Sequence, residues 1–136
     1  MTLEPSDTFA EMPKVELHLH LEGAIPLAAL SELVRKYAAD PKLASISALE
    51  ERFRYKDFPH FIETWSWKNG FLRQYEDFTL VAELVAEDLA RQNIRYVEAF
   101  YSPGDFVQHG LDVQRLTEAI RQGLRIHGDA ITVNLI

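Results

Sequence analysis

The pattern of hydrophobic and polar residues near the start of the chain has the period of a β-strand. The two kinds of residue alternate between residues 15 and 21, and side chains two positions apart on a strand share a face. This alternation predicts a first strand over residues 14–21, with Glu16, His18 and His20 on one face. Gly23 follows shortly, where the absence of a Cβ atom allows a sharp turn. The strand is therefore expected to bring two histidines to a turn at its carboxyl end.

Most of the remaining chain has the period of an amphipathic helix, with apolar residues every three or four positions. This spacing predicts helices over residues 26–38, 76–92 and 113–127. It also predicts an aromatic helix that begins near residue 58 and ends at a turn at 69–70. The apolar face of the aromatic helix is expected to consist of Phe58, Phe61, Ile62 and Trp65.

Two apolar runs bounded by turn residues predict further strands, over residues 94–101 and 130–136. Residues 1–12 are expected to form a loose arm, and residues 40–50 a polar connection with a short helical turn at 47–52. The order of strands and helices predicts an α/β fold with about three parallel strands. Parallel strands are buried on both faces and need neighbours. Residues 1–136 are therefore expected to form a single incomplete domain, the first part of a larger fold.

Composition narrows the chemistry that the chain can support. The 136 residues carry a formal net charge of −7, which disfavours nucleic acid and anionic membranes as partners. The chain has no cysteine, so any metal must be held by histidines and carboxylates. The N-terminal residues lack the apolar core of a signal peptide, and no apolar run approaches the ~20 residues that span a membrane. A cytoplasmic setting and a small neutral or cationic ligand are the expectation.

The His18 and His20 pair is the candidate chemistry of the first strand. A catalytic zinc ion takes three protein ligands and keeps a fourth position for water or substrate, and the two imidazoles could supply two of them. The alternative is a chance pair of histidines that are hydrogen-bonded in a core. Glu16 is expected to support the pair from the same face, as a residue behind the ligands.

Residues 13–23, Pro-Lys-Val-Glu-Leu-His-Leu-His-Leu-Glu-Gly, resemble the opening motif of the adenosine deaminase family, within the metal-dependent hydrolase superfamily. Residues 95–103, Arg-Tyr-Val-Glu-Ala-Phe-Tyr-Ser-Pro, are similar to the second strand of that family. The aromatic helix between them stands where the family has a lid over the substrate pocket. The resemblance thus covers residues 13–136 in order.

The resemblance implies the N-terminal portion of a TIM-type (β/α)8 barrel with a helical lid insertion. It implies zinc as the cofactor, with His18 and His20 as ligands, and a small purine as the partner. The implied reaction is hydrolytic deamination, in which zinc lowers the pKa of a water that attacks the purine carbon bearing the amino group. Glu22, Phe61 and Trp65 would bind the substrate.

The resemblance also implies what this stretch does not contain. The family's third histidine ligand, its aspartate ligand and its catalytic glutamate and histidine come from later strands. We therefore expect no catalytic residue within this chain and no deaminase activity from the 136 residues alone. A missing C-terminal barrel segment, or a second copy of the chain, is the expected macromolecular partner.

Glu22 leaves the substrate open. Family members that act on adenosine usually have aspartate at this position, whereas glutamate is more similar to the branches that act on adenine or on aminodeoxyfutalosine. Two alternatives to a deaminase also stay open. One is another metal hydrolase with this histidine pair, such as a PHP-type phosphoesterase, and the other is a non-catalytic fragment that associates with the rest of a barrel.

Overall fold

The computed structural model describes residues 5–38 and 40–136, and within them a parallel sheet of three strands in the order β1-β2-β3. The strands are β1 (Lys14–His20), β2 (Ile94–Phe100) and β3 (Thr132–Leu135). The helices are α1 (Pro5–Glu11), α2 (Leu27–Tyr37), α3 (Ile46–Arg52), α4 (Phe58–Asn69), α5 (Tyr75–Arg91), α6 (Gly104–Val107) and α7 (Val113–Arg125). The predicted α/β order is therefore confirmed.

Helices α5 and α7 cover one face of the sheet. The predicted apolar stripe of α5 is buried at every position: Phe78, Val81, Ala82, Val85 and Leu89. On β2 the side chains of Val97 and Ala99 meet this helical layer and are fully buried. Tyr96, Glu98 and Phe100 alternate with them on the other face and are only partly buried.

A glycine sets the distance between α5 and α7. A Cβ atom on Gly123 of α7 would overlap the carbonyl oxygen of Thr79 and would lie 2.8 Å from Cβ of Ala82. The backbones of the two helices therefore approach more closely than any larger residue would allow. This contact holds α7 against α5, and both against the sheet.

The histidine strand contains a register shift that the alternation did not predict. Glu16 pairs with Val97 and His20 with Phe100. His20 is four residues after Glu16 on β1, whereas Phe100 is only three residues after Val97 on β2. Because Val97 and Phe100 lie on opposite faces, Glu16 and His20 do too. The expectation that Glu16 supports the histidines from the same face is therefore wrong. Its carboxylate instead accepts a hydrogen bond from the His18 amide, at 3.1 Å.

The N-terminal region and the first connection are more regular than expected. Residues 5–11 of the predicted loose arm form helix α1, while residues 1–4 lie outside the described part of the chain. The connection at 40–50 contains a 3-10 turn, Pro41–Ala44, followed by α3. Helix α5 ends at the predicted place, where Asn93 adopts a φ of 59° that asparagine tolerates.

The aromatic helix α4 is rotated about its axis relative to the prediction. Phe58 is 72% exposed and Ile62 43% exposed, whereas Thr64 and Lys68 are almost completely buried. The periodicity of large side chains thus identified the helix but not the face that packs on the protein. Phe61 lies at the boundary between the two faces.

Both outer strands of the described sheet have an unpaired edge. On β1, the side chains of Val15 and Leu17 are 63% and 57% exposed, although both are apolar. Among the described helices, none combines the length and the apolar character needed to cross a membrane.

Candidate active site

The two predicted histidines lie where β1 and β2 end side by side. His20 is the last residue of β1 and pairs with Phe100, the last residue of β2. The imidazole of His18 stacks on the Phe100 ring, with centroids 4.5 Å apart and planes 28° apart. Phe100 therefore orients the His18 ring, and both histidines stand at the carboxyl edge of the sheet.

The geometry of the pair suits a shared cation. The Nε2 atoms of His18 and His20 are 3.2 Å apart. Two imidazole ligands at ordinary Zn–N lengths and a tetrahedral angle would be separated by about 3.3 Å. Within residues 5–38 and 40–136, no third histidine or carboxylate joins them to make a group of three ligands. The chain thus offers two nitrogen donors of the right kind and spacing, which is half of an ordinary zinc site.

The turn after His20 is shaped by close packing against α4. Residues Leu21–Ala24 form a 3-10 turn, and a Cβ atom on Gly23 would stand 3.3 Å from the indole ring of Trp65. Trp65 also meets the His20 ring edge-on, with centroids 6.4 Å apart. Glycine is favoured here because it lets the indole reach the strand end.

An apolar pocket of about 310 Å³ opens beside the histidines. It is lined by His20, Phe61, Ile62, Trp65 and Ser102. The Phe61 and Trp65 rings form its wall, with centroids 5.9 Å apart. Two of the three predicted substrate-binding residues, Phe61 and Trp65, thus lie together at the candidate metal ligands. The pocket has the apolar walls and few polar groups that are typical of small-molecule sites.

Glu22, the third predicted substrate-binding residue, does not line this pocket, but it is hydrogen-bonded to Ser102, which does. It is only 3% exposed, and its Oε1 atom accepts a hydrogen bond of 2.6 Å from the Ser102 amide. The Oε2 atom is closed off from solvent and has no hydrogen-bond partner among the described residues. The carboxylate therefore joins the turn after β1 to the segment after β2, and one oxygen is left for a further donor.

Lys68 belongs to the site and was missed from the sequence. It is 3% exposed, its ammonium group donates to the Glu22 carbonyl oxygen, and Nζ lies 4.0 Å from the centroid of the Trp65 ring. Burial lowers the pKa of Lys68 from 10.5 to about 8, although the Glu22 carboxylate acts in the opposite direction. The sequence contained one indication of this position: Lys68 is seven residues after Phe61, about two helical turns, and therefore lies on the same side of the helix.

This fold and this site define a class of protein. The parallel strands alternate with helices, and the metal-ligand candidates lie at the carboxyl end of the first strand. This arrangement is that of the N-terminal part of a (β/α)8-barrel amidohydrolase. The family model described as adenosine deaminase matches residues 13–135. The chain belongs to the adenosine deaminase family.

Individual relatives agree with this assignment. An aminodeoxyfutalosine deaminase from Streptomyces coelicolor is 34% identical over 111 residues, which are 82% of this chain and 29% of that protein. An adenosine deaminase from Lactococcus lactis subsp. lactis is 28% identical over 122 residues, 88% of this chain and 35% of that protein. A crystal structure of an amidohydrolase from Burkholderia ambifaria with bound zinc has a TM-score of 0.81 and 27% identity. That match covers 100% of this chain and 38% of the other. The chain spans about a third of the length of the curated relatives it matches.

Proposed function

We propose that the chain is the N-terminal part of a zinc-dependent deaminase that removes the amino group of an adenine-containing base or nucleoside by hydrolysis. The observation that carries this proposal is the 3.2 Å separation of the His18 and His20 Nε2 atoms. His20 also lines an apolar pocket of about 310 Å³. Family membership supports the reaction type.

His18 and His20 would hold the zinc ion through Nε2, and their spacing fits that role. The chemistry that a bound zinc ion would supply there is Lewis-acid activation of water for attack on the carbon that bears the amino group. Phe61 and Trp65 would stack against the purine and exclude water from one side of it. Their proximity to His20 would place the base beside the metal.

We propose Glu22 as the residue that responds to the part of the substrate beyond the base. Its Oε2 atom has no hydrogen-bond partner among the described residues, and once exposed to the pocket it would accept a hydrogen bond from a hydroxyl or amino group of the substrate. The Ser102 amide holds the other oxygen, so the carboxylate has one defined orientation. The relatives named above are an aminodeoxyfutalosine deaminase and an adenosine deaminase, and the substrates in these names carry different substituents on the adenine base.

The remaining barrel strands are the proposed partner of the unpaired β1 edge. Val15 and Leu17 expose apolar side chains on this edge strand; the remaining strands would pair its backbone edge and enclose that apolar surface. The missing zinc ligands and the groups that move protons would come from the same segment, or from a second copy. Without those further ligands, two imidazoles would bind the metal only weakly, and the 136 residues alone would not deaminate the substrate. A cytoplasmic setting is part of this proposal.

Metal analysis of the purified full-length gene product tests the metal site. The His18→Ala and His20→Ala variants should lose zinc and activity together, while His109→Ala, which changes an exposed histidine, should retain both. Zinc that stays stoichiometric in His18→Ala and His20→Ala would contradict the assignment of the ligands.

A substrate panel tests the reaction. Ammonia release should be measured with adenosine, adenine and 5′-substituted adenosines on the full-length protein, and with the mass-verified 136-residue chain as the comparison. We expect turnover from the former and none from the latter. Phosphate release from a phosphoester without any ammonia would favour the phosphoesterase alternative, and turnover by the 136-residue chain would refute its proposed inactivity.

A further inference from the structure

The buried side of the pocket helix α4 is polar. Thr64, Lys68 and Asn69 are 1%, 3% and 8% exposed, while the aromatic residues stand at the boundary or in the open. A charged lysine in such a place is costly, since burial disfavours its charged form. A methionine of similar length would pack there without that cost. The lysine therefore needs contacts that offset part of the cost of its burial.

Three contacts converge on the Lys68 ammonium group. It donates a hydrogen bond to the carbonyl oxygen of Glu22, in the turn that follows His20. It lies 4.0 Å from the centroid of the Trp65 indole, in a cation–π contact that desolvation strengthens. The Glu22 carboxylate, close enough to stabilise the charge of Lys68, is fixed in turn by the Ser102 amide.

These contacts connect the parts of the pocket that different elements supply. Trp65 comes from α4, His20 and Glu22 from the end of β1 and its turn, and Ser102 from the segment after β2. Helix α4 otherwise packs sparsely on the described protein: it contributes only the partly buried Trp67 to the hydrophobic core, and Phe58 and Ile62 are exposed. The position of the aromatic wall relative to His20 thus depends on few contacts, and the hydrogen bond from Lys68 to the Glu22 carbonyl oxygen is one of them.

We propose that Lys68 is a positioning residue that holds the aromatic wall of the pocket, through Trp65, at a set distance from the turn that carries Glu22. It touches neither the metal ligands nor the pocket surface, and it acts through the residues that do. This inference rests on the proposed deaminase function for its effect on substrate. Its effect on the position of Trp65 is independent of that function.

The kinetic test compares Lys68→Met, Lys68→Arg and the control Lys56→Met in the full-length protein. Lys56 is exposed and precedes α4, so Lys56→Met removes the same charge from the same segment and leaves the buried contacts intact. Lys68→Met should raise KM for the preferred adenine compound roughly tenfold, with kcat within about twofold, because binding geometry is lost while the chemistry is not. Lys68→Arg, which keeps the charge and the donors, should recover at least part of the KM. Lys56→Met should match the wild type.

A merely structural role predicts a different result. It would lower the melting temperature and the amount of active enzyme and would leave KM unchanged, and this outcome would overturn the proposal. If Lys68→Met does not fold, Lys68→Gln, which retains a donor for the Glu22 carbonyl, takes its place with the same expected direction. Unchanged KM in a folded variant counts against the proposal in either case.

Fluorine NMR separates the inference from the proposed function. In protein labelled with 5-fluorotryptophan, the Trp65 resonance is assigned by its loss in Trp65→Phe. Lys68→Met should shift or broaden that resonance, and Lys56→Met should not. If no adenine compound is turned over by the wild type, the proposed function fails, and the spectrum alone decides the inference. A Trp65 resonance that is unchanged in Lys68→Met would then overturn it.

Discussion

Replacement of Asp77 by alanine should be among the most destabilising single changes in this chain. Asp77 stands at the start of α5, and its side chain is 2% exposed. Its Oδ1 atom accepts a 2.6 Å bond from Lys36, and Oδ2 accepts from the Tyr37 hydroxyl at 2.7 Å. The same Oδ2 atom accepts from the amides of Arg73 and Gln74, at 3.0 and 2.9 Å. One carboxylate thus connects α2 to the first turn of α5.

The magnitude follows from what the substitution leaves behind. Breaking a buried ion pair by removing one partner costs about 3–5 kcal/mol. The Lys36 side chain is 44% exposed and can regain water, so its share is small. The Tyr37 hydroxyl and the two backbone amides lose a charged acceptor, and each unsatisfied donor costs roughly 1–3 kcal/mol if it stays buried. We therefore expect a loss of about 3 kcal/mol for Asp77→Ala.

Urea unfolding of the full-length protein at neutral pH measures this loss. The matched control is Asp88→Ala on the same helix, where the carboxylate meets Arg91 at 3.2 Å in an exposed pair. That variant should lie within about 0.5 kcal/mol of the wild type. If Asp77→Ala loses no more than Asp88→Ala, the reasoning from burial and hydrogen bonding is wrong.

The pH dependence gives a second check on Asp77. Burial alone would raise the pKa of this carboxyl, but the bonds from Lys36, Tyr37 and the backbone amides outweigh it and hold the pKa below its ordinary value. The folded state therefore binds fewer protons than the unfolded state around the ordinary pKa of about 3.9. The stabilisation is complete above that pH and is lost as the pH falls through the folded pKa. The difference between wild type and Asp77→Ala should accordingly shrink in acid.

Three further predictions concern packing and charge. Gly123→Ala should destabilise by about 1–3 kcal/mol or more in urea, because its Cβ would meet α5, whereas Gly104→Ala, with nothing within 4 Å, should not; equal effects would contradict the close helix contact. Because burial lowers the pKa of Lys68 to about 8, the free energy of unfolding should rise between pH 8 and 10.5, by up to roughly 3 kcal/mol, and Lys68→Met should abolish this rise. Phe106→Ala, at 1% exposure, should cost about 3–5 kcal/mol, while Phe58→Ala, at 72% exposure, should cost little; a reversed order in thermal melts would show that α4 packs in its sequence-predicted orientation.

The local elements and the ligand pair were determined by the sequence. Periodicity is a property of neighbouring residues, so the α5 stripe and the alternation of β1 identified a helix and a strand without any long-range information. The strand also determined that His18 and His20 lie close together, since residues two apart share a face. Their Nε2 atoms are 3.2 Å apart in the structure.

Tertiary structure decided which faces of these elements are used. The register shift in β1 depends on the pairing with β2, and it places Glu16 on the face opposite His20. The rotation of α4 depends on the partners that the fold supplies. The carbonyl oxygen of Glu22 accepts a hydrogen bond from the buried Lys68, while Phe58 is exposed to solvent. The pattern of apolar residues along the sequence carries no information about a hydrogen-bond acceptor in a distant segment. The sequence by itself therefore determined a pair of metal-ligand candidates and an aromatic helix, and only the packing of distant segments decided how the pocket between them is held together.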